Sequence, residues 1–157
     1  MTPYPRAEWD GLEVSFGPGP CPEPPYYVVV LCIHGGGFVL ADIPGRGWTT
    51  PSGRVEPGED PAEAAKRECL EETGSVVESL RELGHYRLSR EGCSRLALVY
   101  VTEARELVDV QGGSESRRRQ VVAPEGLPLV YSGWNALFER VFAEAARFRS
   151  APPGTTG

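Results

Sequence analysis

The amino-acid sequence predicts an α+β fold in which a mixed β-sheet lies between helices. Strand-like segments occur both before and after a central helix, and an amphipathic helix follows near the carboxyl end. The chain has 157 residues, 40% of them hydrophobic, which is the size and composition of one domain with a closed hydrophobic core.

The first 25 residues differ in composition from the rest of the chain. They hold seven prolines, including those of "GPGPCPEPP", which disfavour regular structure. We therefore predict a Pro-rich arm over residues 1–25, with a short strand around Val14 and Phe16 and no part in catalysis. The folded domain is predicted over residues 26–149 and a flexible tail over 150–157.

The next segments predict a hairpin followed by a helix. "YYVVVLCIH" is apolar and β-branched, which is typical of a buried strand. A second strand, "FVLAD", follows Gly35–Gly37, so the glycines predict a hairpin turn and not a phosphate-binding loop. Further on, Asp60 is suited to the N-cap, Pro61 to the first position and Gly74 to the end of a helix.

The second half of the chain predicts three more strands and a last helix. "VVESLRELGHYRL", "RLALVYVTEA" and "RRRQVVA" have strand character, while Glu106–Ser116 is polar and predicts a loop or a broken strand. The segment "GWNALFERVFAEAARF" places four apolar residues on one side of an amphipathic helix: Leu137, Phe138, Val141 and Phe142.

Charge and composition exclude several classes of protein. With a net charge of −6, the chain has no general attraction for nucleic acid or anionic lipid, so a bound polyanion would require a cation between them. The apolar run Val28–Ile33 is too short to span a bilayer, and no signal peptide is evident. Four scattered cysteines predict isolated thiols in a reducing compartment. We therefore expect a cytoplasmic protein with neither nucleic-acid nor membrane partners.

A cluster of carboxylates on the central helix calls for an explanation. Glu68, Glu71 and Glu72 are spaced i, i+3, i+4 and project to one patch, where like charges weaken a helix by a few tenths of a kcal/mol per pair. Mg²⁺ prefers a few carboxylates together with water and phosphate oxygens. The cluster therefore indicates a metal site that could bind a polyphosphate, although a solvated acidic face that docks a protein has the same pattern.

The segment around this cluster resembles the Nudix box, a long pattern of fixed residues and spacings. The matching positions are Gly53, Glu59, Arg67, Glu68, Cys69, Glu71, Glu72 and Gly74. Ser75 departs from the final apolar position of the pattern, and Ser52 replaces the first glycine of the preceding Trp-x-x-Pro-Gly-Gly. The resemblance implies a Nudix-type α/β/α sandwich that hydrolyses a diphosphate linked to another group, with Mg²⁺ or Mn²⁺ as cofactor.

The resemblance also implies roles for individual residues. Arg67 would orient the glutamates, and Glu71 would be either a metal ligand or the base acting through metal-bound water. Glu59 would bind a second metal ion or fix the loop. The implied metal ligands are Glu59, Glu68, Glu71, Glu72 and the backbone carbonyl of Ser52.

Other predicted site residues lie outside the box. The resemblance implies a further glutamate on a later loop, as a metal ligand or the general base. Glu115, in the polar loop "GGSESRRRQ", is the predicted general base, with Glu103 as its competitor and a surface glutamate as the alternative for either. The predicted substrate contacts are Arg46, Trp48, Arg54 and Arg119, for which the alternatives are solvent exposure or a place in the core.

The box specifies the reaction but not the group attached to the diphosphate. The short single domain resembles the family's nucleoside-triphosphate type, so the expected partner is a small nucleotide-type substrate, and a homodimer stays open. The alternative is a catalytically weak Nudix-like domain that binds a nucleotide or a protein in a regulatory role.

Overall fold

The computed structural model describes residues 3–110 and 118–148. The strands are β1 (Ala7–Trp9), β2 (Leu12–Gly17), β3 (Tyr27–His34), β4 (Gly37–Ile43), β5 (Gly47–Thr49), β6 (Ser52–Arg54), β7 (Ser75–Val76), β8 (Arg81–Arg90), β9 (Cys93–Glu103), β10 (Glu106–Leu107) and β11 (Arg119–Val122). The helices are α1 (Pro61–Thr73), α2 (Leu127–Val130) and α3 (Ala136–Ala146), with a 3₁₀ turn at Pro124–Gly126.

The main sheet is mixed, as predicted. Its order is β1-β2-β8-β9-β3-β4-β11, while β5 pairs with β4 and β6 pairs with β3. The pair β3–β9 is parallel and its neighbours are antiparallel. Strands β7 and β10 form a separate two-stranded sheet.

A hydrophobic core lies on each face of the main sheet. Because side chains alternate along a strand, β3 sends Val28 and Val30 into the core that contains α1, and Leu31 into the core that contains α3. The predicted sandwich of a mixed sheet between helices is therefore confirmed.

The local predictions for the first strands and for α1 are confirmed. Gly35 and Gly36 form the turn between β3 and β4 with φ of 56° and 84°. The Asp60 carboxylate caps α1 by accepting from the Ala62 N–H at 2.8 Å. Gly74, with φ of 66°, ends the helix in a left-handed conformation that favours glycine.

The last helix also forms as predicted. Asn135 caps α3, because its side-chain oxygen accepts from the Phe138 N–H at 2.9 Å. The four predicted apolar residues, Leu137, Phe138, Val141 and Phe142, are all buried.

The short strand predicted around Val14 and Phe16 is present as β2, whereas the expectation of a poorly regular arm does not hold for β1. Strands β1 and β2 form a hairpin whose turn is Asp10-Gly11, and β2 pairs with β8 in the main sheet. Only 2% of Val14 is exposed. Five of the arm's seven prolines lie after β2, in the connection to β3, so their effect on regular structure does not reach the hairpin.

Two further expectations concern cysteines and membranes. All four cysteines are free, and Cys32 and Cys69 are buried. Among residues 3–110 and 118–148, no helix has the length and apolar character needed to cross a bilayer.

Candidate active site

The loop before α1 and one face of that helix meet at a carboxylate cluster. Strand β6 pairs with β3, which places Ser52–Arg54 beside α1. The Ser52 N–H donates to Glu72 Oε1 at 2.8 Å, and only 5% of Glu72 is exposed. A Cβ on Gly53 would lie 2.2 Å from Glu68 Oε1. The Glu68 carboxylate therefore occupies the space that the side chain of any residue other than glycine at position 53 would need.

Arg67 connects the carboxylates of this segment. Its Nε donates to Glu59 Oε2 at 2.9 Å and its Nη1 donates to Glu68 Oε1 at 2.8 Å. Nη1 is also 3.5 Å from Glu71 Oε2. The Arg67 hydrogen bond, helped by the Glu56 N–H, lowers the pKa of Glu59 to about 2. Arg67 therefore orients three carboxylates at once and offsets part of their mutual repulsion.

The chemistry of these donors fits a hard divalent cation. In the described part of the chain, no group of three or more His, Cys, Asp or Glu side chains is positioned to hold a metal ion by itself. The carboxylates of Glu68 and Glu71 face Arg67, and that of Glu72 accepts from Ser52. Such an open set of oxygens suits a cation that keeps water and phosphate oxygens among its ligands.

A cleft of about 410 Å³ opens beside this cluster. Ser52, Gly53 and Glu68 line it, as do the basic residues Arg46 and Arg54. The structure thus brings two of the predicted substrate contacts next to the carboxylates. The remaining lining residues are Trp9, Asp10, Leu12, Val14, Tyr27, Val29, Thr49, Thr50, Tyr86, Leu88, Tyr131 and Phe138.

Two other predicted substrate contacts do not line this cleft. The Trp48 ring lies 5.4 Å from the Arg118 guanidinium carbon, in a separate open depression that Arg119 also lines. Nη1 of Arg119 donates to the Thr73 carbonyl at 2.9 Å and to the Val108 carbonyl. Arg119 thus contacts the carboxyl end of α1, where a cation is favourable.

The structure describes only one of the two candidates for the general base. Glu115 lies outside the described residues. Glu103 is exposed at the end of β9 and does not line the cleft.

Sequence reasoning missed the aromatic residues of the cleft, the strand β1 and the pairing of β1 with β2 in a hairpin. Burial raises the pKa of Tyr86 and of Tyr131, so both hydroxyls stay protonated at neutral pH. The hairpin had a sequence signal, because Asp10-Gly11 lies between two segments of alternating character. Asp-Gly is among the strongest turn signals for a two-residue hairpin.

The chain belongs to the NUDIX domain family, whose model matches residues 24–140. Members of this family generally use divalent metal ions. The box, the open set of carboxylates and the sandwich fold agree with this assignment.

Comparisons with individual proteins extend the assignment. The chain is 43% identical over 77 residues to the protein named "Putative 8-oxo-dGTP diphosphatase YtkD" of Bacillus subtilis (strain 168), covering 49% of each chain. It is 32% identical over 81 residues to the oxidized purine nucleoside triphosphate hydrolase of Mus musculus, covering 52% of each chain. The chain thus spans about half the length of the curated relatives it matches.

A solved structure covers more of the chain. The Bacillus subtilis pyrophosphohydrolase BsRppH superposes with a TM-score of 0.79 at 25% identity, covering 91% of this chain and 96% of that one.

Proposed function

We propose that this protein is a metal-dependent pyrophosphohydrolase that cleaves a nucleoside triphosphate or a related nucleotide. One observation carries the proposal: Ser52, Glu68, Arg46 and Arg54 line one cleft. Glu72 lies beside it, where its carboxylate accepts from the Ser52 N–H. Carboxylates beside cations in one cleft suit a phosphate chain held through a divalent ion.

Each residue of the cluster has a proposed part in this reaction. Glu68, Glu72 and the Ser52 carbonyl hold Mg²⁺ or Mn²⁺, with Glu71 as a further ligand. When bound, the ion supplies charge neutralisation of the phosphates and an acidified water. Arg67 keeps Glu68 and Glu71 oriented.

The flanking residues complete the proposed assignment. Arg46 and Arg54 bind phosphate oxygens. Glu59 fixes Arg67 through its ion pair, and binding of a second ion is its alternative part. Trp48 and Arg119 stay predictions for substrate contact without support from the cleft geometry.

The names of the relatives suggest which nucleotides to test first. Two of them refer to oxidised purine nucleoside triphosphates, 8-oxo-dGTP in one case. We propose a purine nucleoside triphosphate as the substrate class. A cleft with Trp9, Tyr27, Tyr86 and Phe138 in its walls offers the aromatic contacts that a base requires.

A hydrolysis screen with a metal titration tests the proposal. Nucleoside triphosphates, sugar nucleotides and dinucleoside polyphosphates are assayed with Mg²⁺, with Mn²⁺ and with EDTA. We expect purine triphosphates to be cleaved in either metal and not in EDTA, and Mg²⁺ to raise the melting temperature of the wild type.

Paired variants on α1 distinguish the metal site from a generic acidic surface. Glu68→Gln should abolish the thermal shift with Mg²⁺, whereas Glu63→Gln, which removes a 67% exposed carboxylate from the same helix, should retain it. Hydrolysis that persists in EDTA, or an equal loss in both variants, would contradict the proposal.

The general base is proposed to be Glu115, as the sequence predicts. Glu115→Gln should lower the maximal rate about ten- to thousandfold with little change in KM, and Glu103→Gln should do much less. The reverse order would assign the base to the end of β9, and two fully active variants would leave Glu71 as the base.

A further inference from the structure

The hairpin β1–β2 contributes four residues to the cleft, Trp9, Asp10, Leu12 and Val14, and only Asp10 among them is charged. We propose that Asp10 determines base specificity by accepting hydrogen bonds from the Watson–Crick edge of a guanine-type base. This inference rests on the proposed function and assigns to the hairpin the recognition of the base.

The hairpin is held against the body of the protein at two points. Trp9 Nε1 donates to the Ser132 carbonyl at 3.3 Å, and a Cβ on Gly133 would lie 2.7 Å from the Trp9 ring. Arg90 Nη2 donates to the Asp10 carbonyl at 3.0 Å. The turn is therefore anchored on both sides, which limits the positions that the Asp10 carboxylate can reach.

The strand order separates the hairpin from the carboxylate cluster. Ser52 lies on β6, which pairs with β3, and the path from β3 to β2 runs through β9 and β8. With the pair β6–β3 included, four spacings between neighbouring strands separate Ser52 from β2, which amounts to roughly 19 Å. This separation is comparable with the length of an extended nucleoside triphosphate, so phosphates at Ser52 would place the base near the hairpin.

The lining of the cleft near the hairpin suits a base. Trp9, Leu12 and Val14 of the hairpin face the same cleft as Tyr86 and Leu88 of β8, the strand beside it. Aromatic and aliphatic side chains favour a planar ring. Asp10 is exposed at the mouth of this region. Its backbone carbonyl is bonded, but its carboxylate has no hydrogen-bond or ion-pair partner among the described residues.

An ionised carboxylate distinguishes the bases by their donors. It only accepts hydrogen bonds, and guanine presents two adjacent donors, N1–H and the 2-amino group. Hypoxanthine presents N1–H alone. Adenine and cytosine place a ring-nitrogen acceptor beside their amino group. This ring nitrogen would repel the carboxylate, because both groups are hydrogen-bond acceptors. The geometry therefore favours guanine over hypoxanthine, and both over adenine.

The kinetic test compares GTP, ITP and ATP in the wild type and in Asp10→Asn. We expect wild-type kcat/KM to fall in the order GTP, ITP, ATP, and the GTP-to-ATP ratio to fall at least about fivefold in the variant, the lower range for a lost bidentate contact. Asparagine adopts positive φ readily, so the turn should stay intact and the melting temperature unchanged. Glu8→Gln, on an exposed residue of β1 that does not line the cleft, should leave the ratio unaltered.

A binding measurement separates this inference from the proposed function. Calorimetry with GMP and AMP in EDTA requires no turnover. Tighter binding of GMP by the wild type, reduced at least about fivefold in Asp10→Asn but not in Glu8→Gln, would support the inference even if no triphosphate were cleaved. Equal affinity of the wild type for both nucleotides, or an unchanged preference in Asp10→Asn, would overturn it while leaving hydrolysis unaffected.

Discussion

The segment from Ser52 to Gly74 and the hairpin β1–β2 line the same cleft, but different kinds of contact hold them in place. In the first, Glu59 and Arg67 are eight residues apart and Ser52 and Glu72 are twenty apart. In the second, Trp9 bonds to Ser132 across 123 positions. Short-range contacts leave a pattern of fixed spacings in a sequence, whereas long-range contacts do not.

The largest expected effect concerns the first region. Glu72→Gln should lower turnover about 10²- to 10³-fold, since a lost metal ligand removes several kcal/mol of transition-state stabilisation. The amide oxygen can still accept from the Ser52 N–H, so the fold should persist. Turnover is measured at saturating metal beside the melting temperature. A Glu72→Gln enzyme with the wild-type rate would remove this residue from the metal site.

A smaller loss is expected where the loop touches α1. Gly53→Ala should reduce kcat about ten- to hundredfold, because the new methyl group displaces the Glu68 carboxylate and small displacements of reacting groups are costly. Gly19→Ala is the matched control, since a Cβ there meets no atom within 4 Å. If both variants keep wild-type kcat, the close approach of Gly53 and Glu68 has no part in catalysis.

The third prediction concerns the core role of the hairpin. Val14→Ala should lower the free energy of unfolding by about 2 kcal/mol, from lost burial and a residual cavity. Val121→Ala, at a residue 41% exposed on β11, should change it by less than about 0.5 kcal/mol. Urea unfolding of the three proteins provides the comparison. Equal stability of the two variants would restore the view of residues 1–25 as a dispensable arm.

The smallest expected effect decides between two roles for Arg119. If Arg119 anchors the carboxyl end of α1, the change Arg119→Ala should lower the free energy of unfolding by about 1–2 kcal/mol, because it leaves carbonyl groups unpaired. KM should then stay constant. As a substrate contact, the same change should raise KM at constant stability. Thermal unfolding and steady-state kinetics, with the 69% exposed Arg118 changed to Ala as control, separate the two roles.

The sequence by itself determined the family, the α/β/α sandwich, the limits of α1 and the carboxylate cluster. Each depends on residues a few positions apart, such as Asp60 and Gly74 at the two ends of α1, or on alternation within a strand such as β3. The turn at Gly35-Gly36 belongs to the same class, since a two-residue loop between two strands fixes its own register.

Only the tertiary structure decided which residues form the far wall of the cleft. Trp9, Asp10 and Val14 reach it because β2 pairs with β8, some seventy positions later in the chain, and pairing partners at that separation leave no spacing pattern in one sequence. Arg119 similarly contacts α1 and not the cleft because β11 lies at the edge beyond β4. Contacts between residues that are close in sequence can therefore be predicted from the residues themselves. Which strands become neighbours in a mixed sheet depends on how all the strands together bury their apolar side chains.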